Sequence, residues 1–452
     1  MEASSSTTSG QKAAFVILAI LLALRLIRFL GTAIGFILYR PVVPQEAPAF
    51  TSRDCSVIFA VTRPQDPALE RQVRSVLHND PCAFYIVTVG KESRDQLDRL
   101  LAPLRIEFPN TQISIGAVNS ANKRRQISHA LRSASTRITV LIDDGVFWPR
   151  TFLKSAMAPF KDLLVGAITV RKRVCAVSNS LWDSFWACLA SIYYSYLDHE
   201  SRCANAVDGS VSYGDSTALY RTPFLAQNFV DDFEAERCCF GRIGPLRADE
   251  YHYFNTWMLQ NDNFVRVQSS PGCTVDIAFQ SPTKFLGDCE RMARGQWRSS
   301  ISMLCFFREN WRFPWAIYSV WLHQLVSFPL FFDAIVILLF TQTRYFVEEQ
   351  GRVAILFCIL LAMKVLHTLP MWFCGAQGPF RLASILLCWF FLIPIGYLHT
   401  LLKAKALLTY WHVERAECLK SDEEMARQCA EPAWIWGHTG MMYRRWRNNC
   451  LE

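Results

Sequence analysis

Two neighbouring carboxylates, Asp143 and Asp144, stand directly after the apolar, β-branched run Ile138 to Ile142 and directly before Gly145. Adjacent acids are costly to hold together unless a cation sits between them. The run has the composition of a buried parallel strand, and the glycine permits a tight turn. In open α/β sheets, ligands bind just beyond the carboxyl ends of the strands. A strand followed by an Asp-rich turn would also account for these residues, so their chemistry depends on what the rest of the chain brings to that strand end. A second acidic pair, Asp249 and Glu250, opens the helically spaced segment Arg247 to Gln260. Acids in a first helical turn suit the helix dipole without any catalytic role. The basic stretch Asn122 to Gln126 is a cationic binding surface or a solvated helix end.

The surrounding pattern supplies elements that could position these groups. Ser56 to Val61, Phe84 to Val89 and Gln112 to Ala117 read as strands before the one carrying Asp143. Helical patterns at Asp66 to His78, Arg94 to Ala102 and Asn122 to Ser133 separate them. Strands alternating with helices imply a parallel, doubly wound α/β sheet. Neither GxGxxG nor GxxxxGK[ST] occurs, so a dinucleotide fold and a P-loop are both unsupported. Further on, Leu181 to Leu197 places Trp182, Trp186, Leu189 and Tyr193 on one helix face, suited to a core helix or to a membrane interface. Ser210 to Arg221 reads as a loop then a strand, and Gly287 to Ser300 as a basic, partly amphipathic helix.

Of the 452 residues, 51% are hydrophobic and 19% charged, more apolar than an ordinary soluble protein. Ala13 to Tyr39, Trp315 to Phe340, Val353 to Phe373 and Phe380 to Leu402 are each long enough to cross a bilayer. The first exceeds a signal peptide in length and has no small-residue cleavage site after it, so an uncleaved anchor is expected. Lys and Arg near the flanking spans place the intervening domain in the cytoplasm. Three spans after it would put the basic tail outside, against that tendency, unless a segment such as the one with Lys364, His367 and Pro370 is re-entrant. The net charge of +8 suits a membrane surface or an anionic substrate. No basic run with interleaved aromatics points to nucleic acid. The 16 cysteines are scattered without a CxxC pair, giving neither a zinc site nor a disulfide framework. The expected organisation is a disordered tail at 1–12, an anchor at 13–40, a cytoplasmic domain at 41–314, a membrane region of about three helices at 315–402, and a tail at 403–452.

From Ser56 to about Leu402 the ordered motifs resemble those of membrane-embedded family-2 glycosyltransferases, most closely fungal polysaccharide synthases related to hyaluronan synthases. The resemblance implies a glycosyltransferase-A-like, nucleotide-diphospho-sugar transferase domain with transmembrane helices on both sides. It assigns Thr62, Lys123, Arg124, Asp143, Asp144 and Arg291 to the nucleotide-sugar, and Asp143 and Asp144 to a Mg²⁺ or Mn²⁺ ion on the diphosphate. Asp249 and Glu250 match the acidic pair that includes the family's general base. Asp215, in the stretch Tyr213 to Arg221, and Trp297 and Arg298 would line the acceptor. Three positions depart from the family pattern. Gly145 stands where a third acid is usual, Asp249-Glu250 follows Ala248 rather than Gly, and Met292 follows Arg291 where the family has Trp.

The resemblance implies an inverting, metal-dependent enzyme in the plasma membrane, multi-pass, with its catalytic domain cytoplasmic. It would move a sugar from a UDP-sugar donor to a growing polysaccharide and extrude the chain across the lipid bilayer. The alternatives are a lipid acceptor of the ceramide type, suited by one anchor before the domain and few spans after it, and a catalytically silent scaffold relative, for which the three departures argue.

Overall fold

The computed structural model describes residues 2–175, 180–209, 216–225, 227–238, 244–247, 249–305, 311–375 and 381–411; side chains at 2–9, 181, 227, 348 and 366–393 also lie outside the description. A long helix, α1 (Glu2–Leu38), comes first. The domain then runs β1 (Cys55–Ala60), α2 (Leu69–Leu77), β2 (Ala83–Val89), α3 (Lys91–Glu107), β3 (Gln112–Val118), α4 (Lys123–Leu131) and β4 (Ile138–Ile142). After the acidic turn come β5 (Val146–Phe147), α5 (Phe152–Ala156), β6 (Val165–Val170), β7 (Lys172–Cys175) and α6 (Leu181–Asp208). The remainder is β8 (Thr217–Arg221), α7 (Gln227–Ala235), α8 (Glu250–Gln260), β9 (Phe264–Gln268), β10 (Val275–Ala278) and α9 (Pro282–Cys305).

Seven strands form the main sheet in the order β3-β2-β1-β4-β8-β6-β9, and β5-β10-β7 form a smaller one. The first four strands are parallel, as the alternation of helix and strand patterns requires. The expectation of a wholly parallel sheet fails at β8, which is antiparallel to both β4 and β6. Its physical cause lies in the connection. β8 is reached from β4 through β5, α5, β6, β7 and α6 rather than by one helix, so the single crossover that enforces parallel pairing is missing.

Strand alternation feeds two cores, one on each face of the sheet. From β1, Val57 and Phe59 join Phe84, Leu97 and Leu101 beneath α3, while Ile58 and Ala60 join Tyr220, Phe229, Phe233 and Phe254 beneath α7 and α8. Burial on both faces explains why the strands read as continuous apolar runs. With the sheet fixed this way, the ends of β1 and β4 lie side by side, Phe59 opposite Ile142.

At the flanks, two expectations change. The Ser/Thr-rich start is helical from Glu2 rather than a disordered tail, because apolar turns after Ala13 nucleate a helix that poorer formers then extend one bond at a time. The segment Trp315 to Phe340 is not one straight crossing: Pro314–Val326 and Pro329–Thr341 meet at 85°. Pro329 has no N–H to continue a helix, and it holds Phe328 extended, with ψ 90°. Helices Arg352–Gly375 and Arg381–Leu408 cover the remaining two apolar segments. Among the described residues, Gly10–Leu38 is the one helix long and apolar enough by itself to cross a membrane. Its Ile20, Ile27, Ile34 and Ile37 are exposed.

Candidate active site

The site starts at the carboxyl end of β4. The Asp143 backbone is pinned on both sides: its N–H donates to Ser216 O at 3.0 Å, and its carbonyl accepts from Gln72 Nε2 at 2.6 Å. Gly145 takes φ +76°, a conformation that a side chain at this turn would strain, and its N–H donates to Gln72 Oε1 at 3.0 Å. Gln72 of α2 thus grips the acidic turn at two points. Ala278 N of β10 donates to Gly145 O at 3.2 Å, tying the small sheet to the same turn.

The two acids serve different surroundings. Asp144 Oδ2 accepts from Thr62 Oγ1, just past β1, at 2.7 Å. Asp144 also lines a cavity bounded by Arg63, Gln72, Gly145, Gln280 and Lys284. Asp143 faces the buried side, where its Oδ1 accepts from Tyr251 OH at 3.0 Å and from the Lys123 ammonium. Lys123 is the first residue of α4, whose N-cap Asn122 accepts from Arg124 N at 3.0 Å. The Lys123 amine also binds Glu250 Oε1, so one ammonium lies between carboxylates from β4 and α8. Both Lys123 and Glu250 are buried, at 5% and 2% exposure. A buried pair of like charges requires such a cation, or the acids would protonate.

Asp249 is the N-cap of α8 and, with Asp80 and Asp262, a non-glycine residue of positive φ among the described residues, at 61°. Arg298 of α9 holds its Oδ2 through Nε at 2.7 Å and Nη2 at 2.6 Å, and donates from Nη1 to Tyr410 O at 2.8 Å. This approach needs Gly295: a Cβ there would meet Asp249 Oδ1 at 2.6 Å. The acidic pair is therefore divided, Glu250 with Lys123 and Asp249 with Arg298.

Arg124 and Trp297 serve packing. The Arg124 guanidinium is fully buried, donating to Phe233 O at 2.8 Å, pairing with Glu236 at 2.6 Å and stacking near Phe233 and Tyr253. It holds α4 to α7 and does not line the Asp144 cavity. Its neighbour points the other way because consecutive helical residues do not share a face. Trp297 is buried against Phe328, with its N–H on Lys403 O at 3.2 Å, so its ring is packed between helices. Arg291 pairs with Asp288 at 3.4 Å, and against desolvation by burial the Glu250 and Asp143 carboxylates also raise its affinity for a proton. Asp215 lies outside the described residues.

Sequence reasoning missed Gln72, Tyr251 and Lys172. Lys172 of β7 sits with its amine 5.2 Å from the Tyr194 ring centroid. Desolvation pushes that amine down to about 7, while the Asp143 carboxylate pulls the other way and Arg291 adds to the depression. Burial drives the Tyr251 phenol up, with Asp143 and Glu250 adding to it, and drives the His252 imidazole down. A basic triplet, Arg171 to Arg173, was the available signal for Lys172, but strand alternation alone does not say which of the three turns inward.

No group of three or more His, Cys, Asp or Glu side chains placed to hold a metal occurs among the described residues. Asp143 Oδ1 is engaged by Lys123 and Tyr251, and Asp144 is the carboxylate of the expected metal pair that opens onto the cavity. A single carboxylate still fits Mg²⁺ or Mn²⁺, which commonly keep waters and substrate phosphates in their shell.

A mixed sheet with an acidic turn at its carboxyl edge, backed by a buried ammonium, has the architecture of a glycosyltransferase-A-like, nucleotide-sugar transferase fold. Comparison with solved structures agrees: a mannosyltransferase from Pyrobaculum calidifontis, solved with GDP-mannose and Mn²⁺, superposes with TM-score 0.51 at 14% identity, covering 86% of this chain and 99% of that one. Residues 56–260 match the family described as Glycosyltransferase like family 2. Proteins described as type 2 glycosyltransferases are similar at low identity. The Gibberella zeae protein is 26% identical over 69% of this chain and 59% of its own length, and the Pyricularia oryzae protein 29% over 64% and 59%. The Zymoseptoria tritici protein is 25% identical over 85% of this chain and 80% of its own length. The chain thus spans less than two thirds of the first two relatives.

Proposed function

We propose that the chain is a membrane-bound, inverting glycosyltransferase that moves a sugar from a UDP-sugar to a growing polysaccharide. The observation that carries this is the Lys123 ammonium held between Asp143 and Glu250, one residue from an Asp144 carboxylate that opens onto a cavity. The UDP-sugar class of donor rests on the family-2 match, and nucleotide-sugar binding is known for the mannosyltransferase of similar fold.

In this reading the acceptor hydroxyl attacks the anomeric carbon as the sugar–phosphate bond breaks. The bonding electron pair leaves with the nucleoside diphosphate, and the hydroxyl proton passes to Glu250. A carboxylate within hydrogen-bond reach of the hydroxyl suffices for that transfer. Asp249, turned aside by Arg298, sets the start of α8 and thereby the position of Glu250. Lys123 holds positive charge where negative charge accumulates on the leaving group, already oriented and shielded from water. A Mg²⁺ or Mn²⁺ ion held by Asp144 would add further neutralisation of that charge. Thr62, by fixing Asp144, orients the carboxylate that would bind it. The exposed isoleucines of α1 support a membrane anchor, and helices beyond residue 314 would complete a multi-pass arrangement with the catalytic domain at the cytoplasmic face of the plasma membrane.

Membranes carrying the full chain, supplied with Mn²⁺ and each of a panel of labelled nucleotide sugars, test the proposal. Incorporation from a UDP-sugar that falls at least 100-fold in Asp144→Asn is expected. No incorporation from any donor, or the same incorporation in Asp144→Asn, refutes it. An insoluble polymer supports the polysaccharide product, and a chloroform-soluble glycolipid replaces it with a lipid acceptor.

A further inference from the structure

The 85° elbow between Pro314–Val326 and Pro329–Thr341 ends one helix and starts another. Carbonyls at the first end and N–H groups at the second start have no partner inside either helix. The helix Arg381–Leu408 supplies partners on both sides of the break. Lys403 Nζ donates to Ser327 O, just past the first helix, at 2.9 Å. Thr400 Oγ1 accepts from Leu330 N, in the first turn of the second, at 3.4 Å. Three residues apart, Thr400 and Lys403 share a helix face, and both are buried, Lys403 to 3% exposure. Burying an ammonium is costly unless its charge is met. Here the Ser327 carbonyl and two ring faces meet it, Nζ lying 5.5 Å from the Trp297 centroid and 5.1 Å from that of Phe328.

From Lys403 the contacts lead to the active site through α9. The Trp297 indole N–H donates to Lys403 O, and Trp297 and Ala293 pack with Ala406, Leu325 and Phe328. Lys405 Nζ donates to Glu290 Oε2 at 2.8 Å, a second tie between α9 and the same helix. The residue after Trp297 is Arg298, which holds Asp249 and donates to Tyr410 O. Asp249 O in turn accepts from Tyr253 N at 3.2 Å, closing the first turn of α8 around Glu250.

We propose that Lys403 is a positioning residue for sugar transfer. By clasping the elbow onto Trp297 it keeps Arg298 on Asp249, and so keeps Glu250 where the acceptor hydroxyl must lose its proton. This rests on the transferase reading and adds to it a link from the helices beyond residue 314 to the general base. A carboxylate displaced by even a fraction of its hydrogen-bond length transfers a proton poorly, so the clasp acts on turnover and leaves donor binding alone.

Lys403→Met and Lys403→Arg in the full chain test the clasp. Methionine keeps the stem and leaves behind a carbonyl and two rings, not an unpaired opposite charge, so its melting should not fall. In transfer from the UDP-sugar that the donor panel selects, kcat should drop about ten-fold or more in Lys403→Met, with donor KM within about three-fold. Lys403→Arg, which can still donate to Ser327 O and lie on Trp297, should keep kcat within about three-fold. Hydrogen exchange at the Tyr253 amide should speed up about ten-fold in Lys403→Met and not in Lys403→Arg. Should Lys403→Met fail to fold, Thr400→Val, which removes the acceptor of Leu330 N, should lower kcat in the same way at unchanged donor KM. Wild-type kcat and Tyr253 exchange in Lys403→Met overturn the clasp and leave the transferase reading intact. A fall in kcat matched by lower melting in both Lys403→Met and Thr400→Val also overturns it, pointing to packing alone. A wild-type chain that transfers from no donor removes the transferase reading, and the positioning role with it.

Discussion

Removing the ammonium of Lys123 is the most informative perturbation. Lys123→Met keeps the stem of the side chain and leaves Asp143 and Glu250 facing each other without their cation. Breaking a buried pair from one side costs about 3–5 kcal/mol, because the remaining charge keeps its desolvation penalty and loses its partner. At about 2–3 °C per kcal/mol, the thermal midpoint should fall by roughly 6–15 °C at pH 7.5. The deficit should also depend on pH in a definite direction. In the variant, repulsion and burial raise the folded-state affinity of this carboxylate pair for a proton above that of the unfolded chain. A raised carboxylate pKa leaves stability intact below the unfolded value and removes it as pH rises. The gap between wild type and Lys123→Met should therefore narrow between pH 7.5 and pH 5. Adding Glu250→Gln relieves the repulsion, so the double variant should melt above Lys123→Met while remaining inactive. Scanning calorimetry of the three chains at both pH values decides the matter. A Lys123→Met chain that melts within 2 °C of wild type (about 1 kcal/mol) would show that the ammonium does not bind the two acids together.

Four further outcomes follow from the same geometry. Gly295→Ala should displace Asp249 from Arg298 and cost about 1–3 kcal/mol, read by thermal unfolding, together with most of the transfer activity. Lys172→Met should do the opposite to stability: an amine that burial holds near pH 7 is costly to keep charged, so the apolar variant should gain about 0.5–2 kcal/mol while transfer slows. Because that folded-state amine is depressed, the stability gain should be largest below pH 7 and shrink as pH rises above it, which melts at pH 6 and pH 9 will show. Arg124→Met should lower stability with little change in nucleotide affinity, since its guanidinium is spent on Phe233 O and Glu236; a ten-fold loss of UDP affinity by calorimetry at unchanged melting would contradict this. Alkaline carbonate extraction should leave the chain in the membrane pellet, and its release would count against α1 as an anchor.

The sequence by itself determined the strand that carries Asp143, the alternation around it and the segments apolar enough for a membrane. These are local properties: β-branched runs, helical spacing and glycine at a turn act through near neighbours. It also marked Lys123, Asp144 and Glu250 as candidates. Only the tertiary structure decided how the groups are shared. Asp143 and Asp144 are neighbours in the chain, yet one faces a buried ammonium and the other a cavity, because successive residues at a strand end point to opposite sides. Arg124 and Lys123 are likewise adjacent, and the helix turns one into packing and the other into the site. The antiparallel entry of β8 and the pairing of Asp249 with Arg298 depend on contacts between residues distant in sequence. No local pattern encodes which of several available partners a charged side chain will meet.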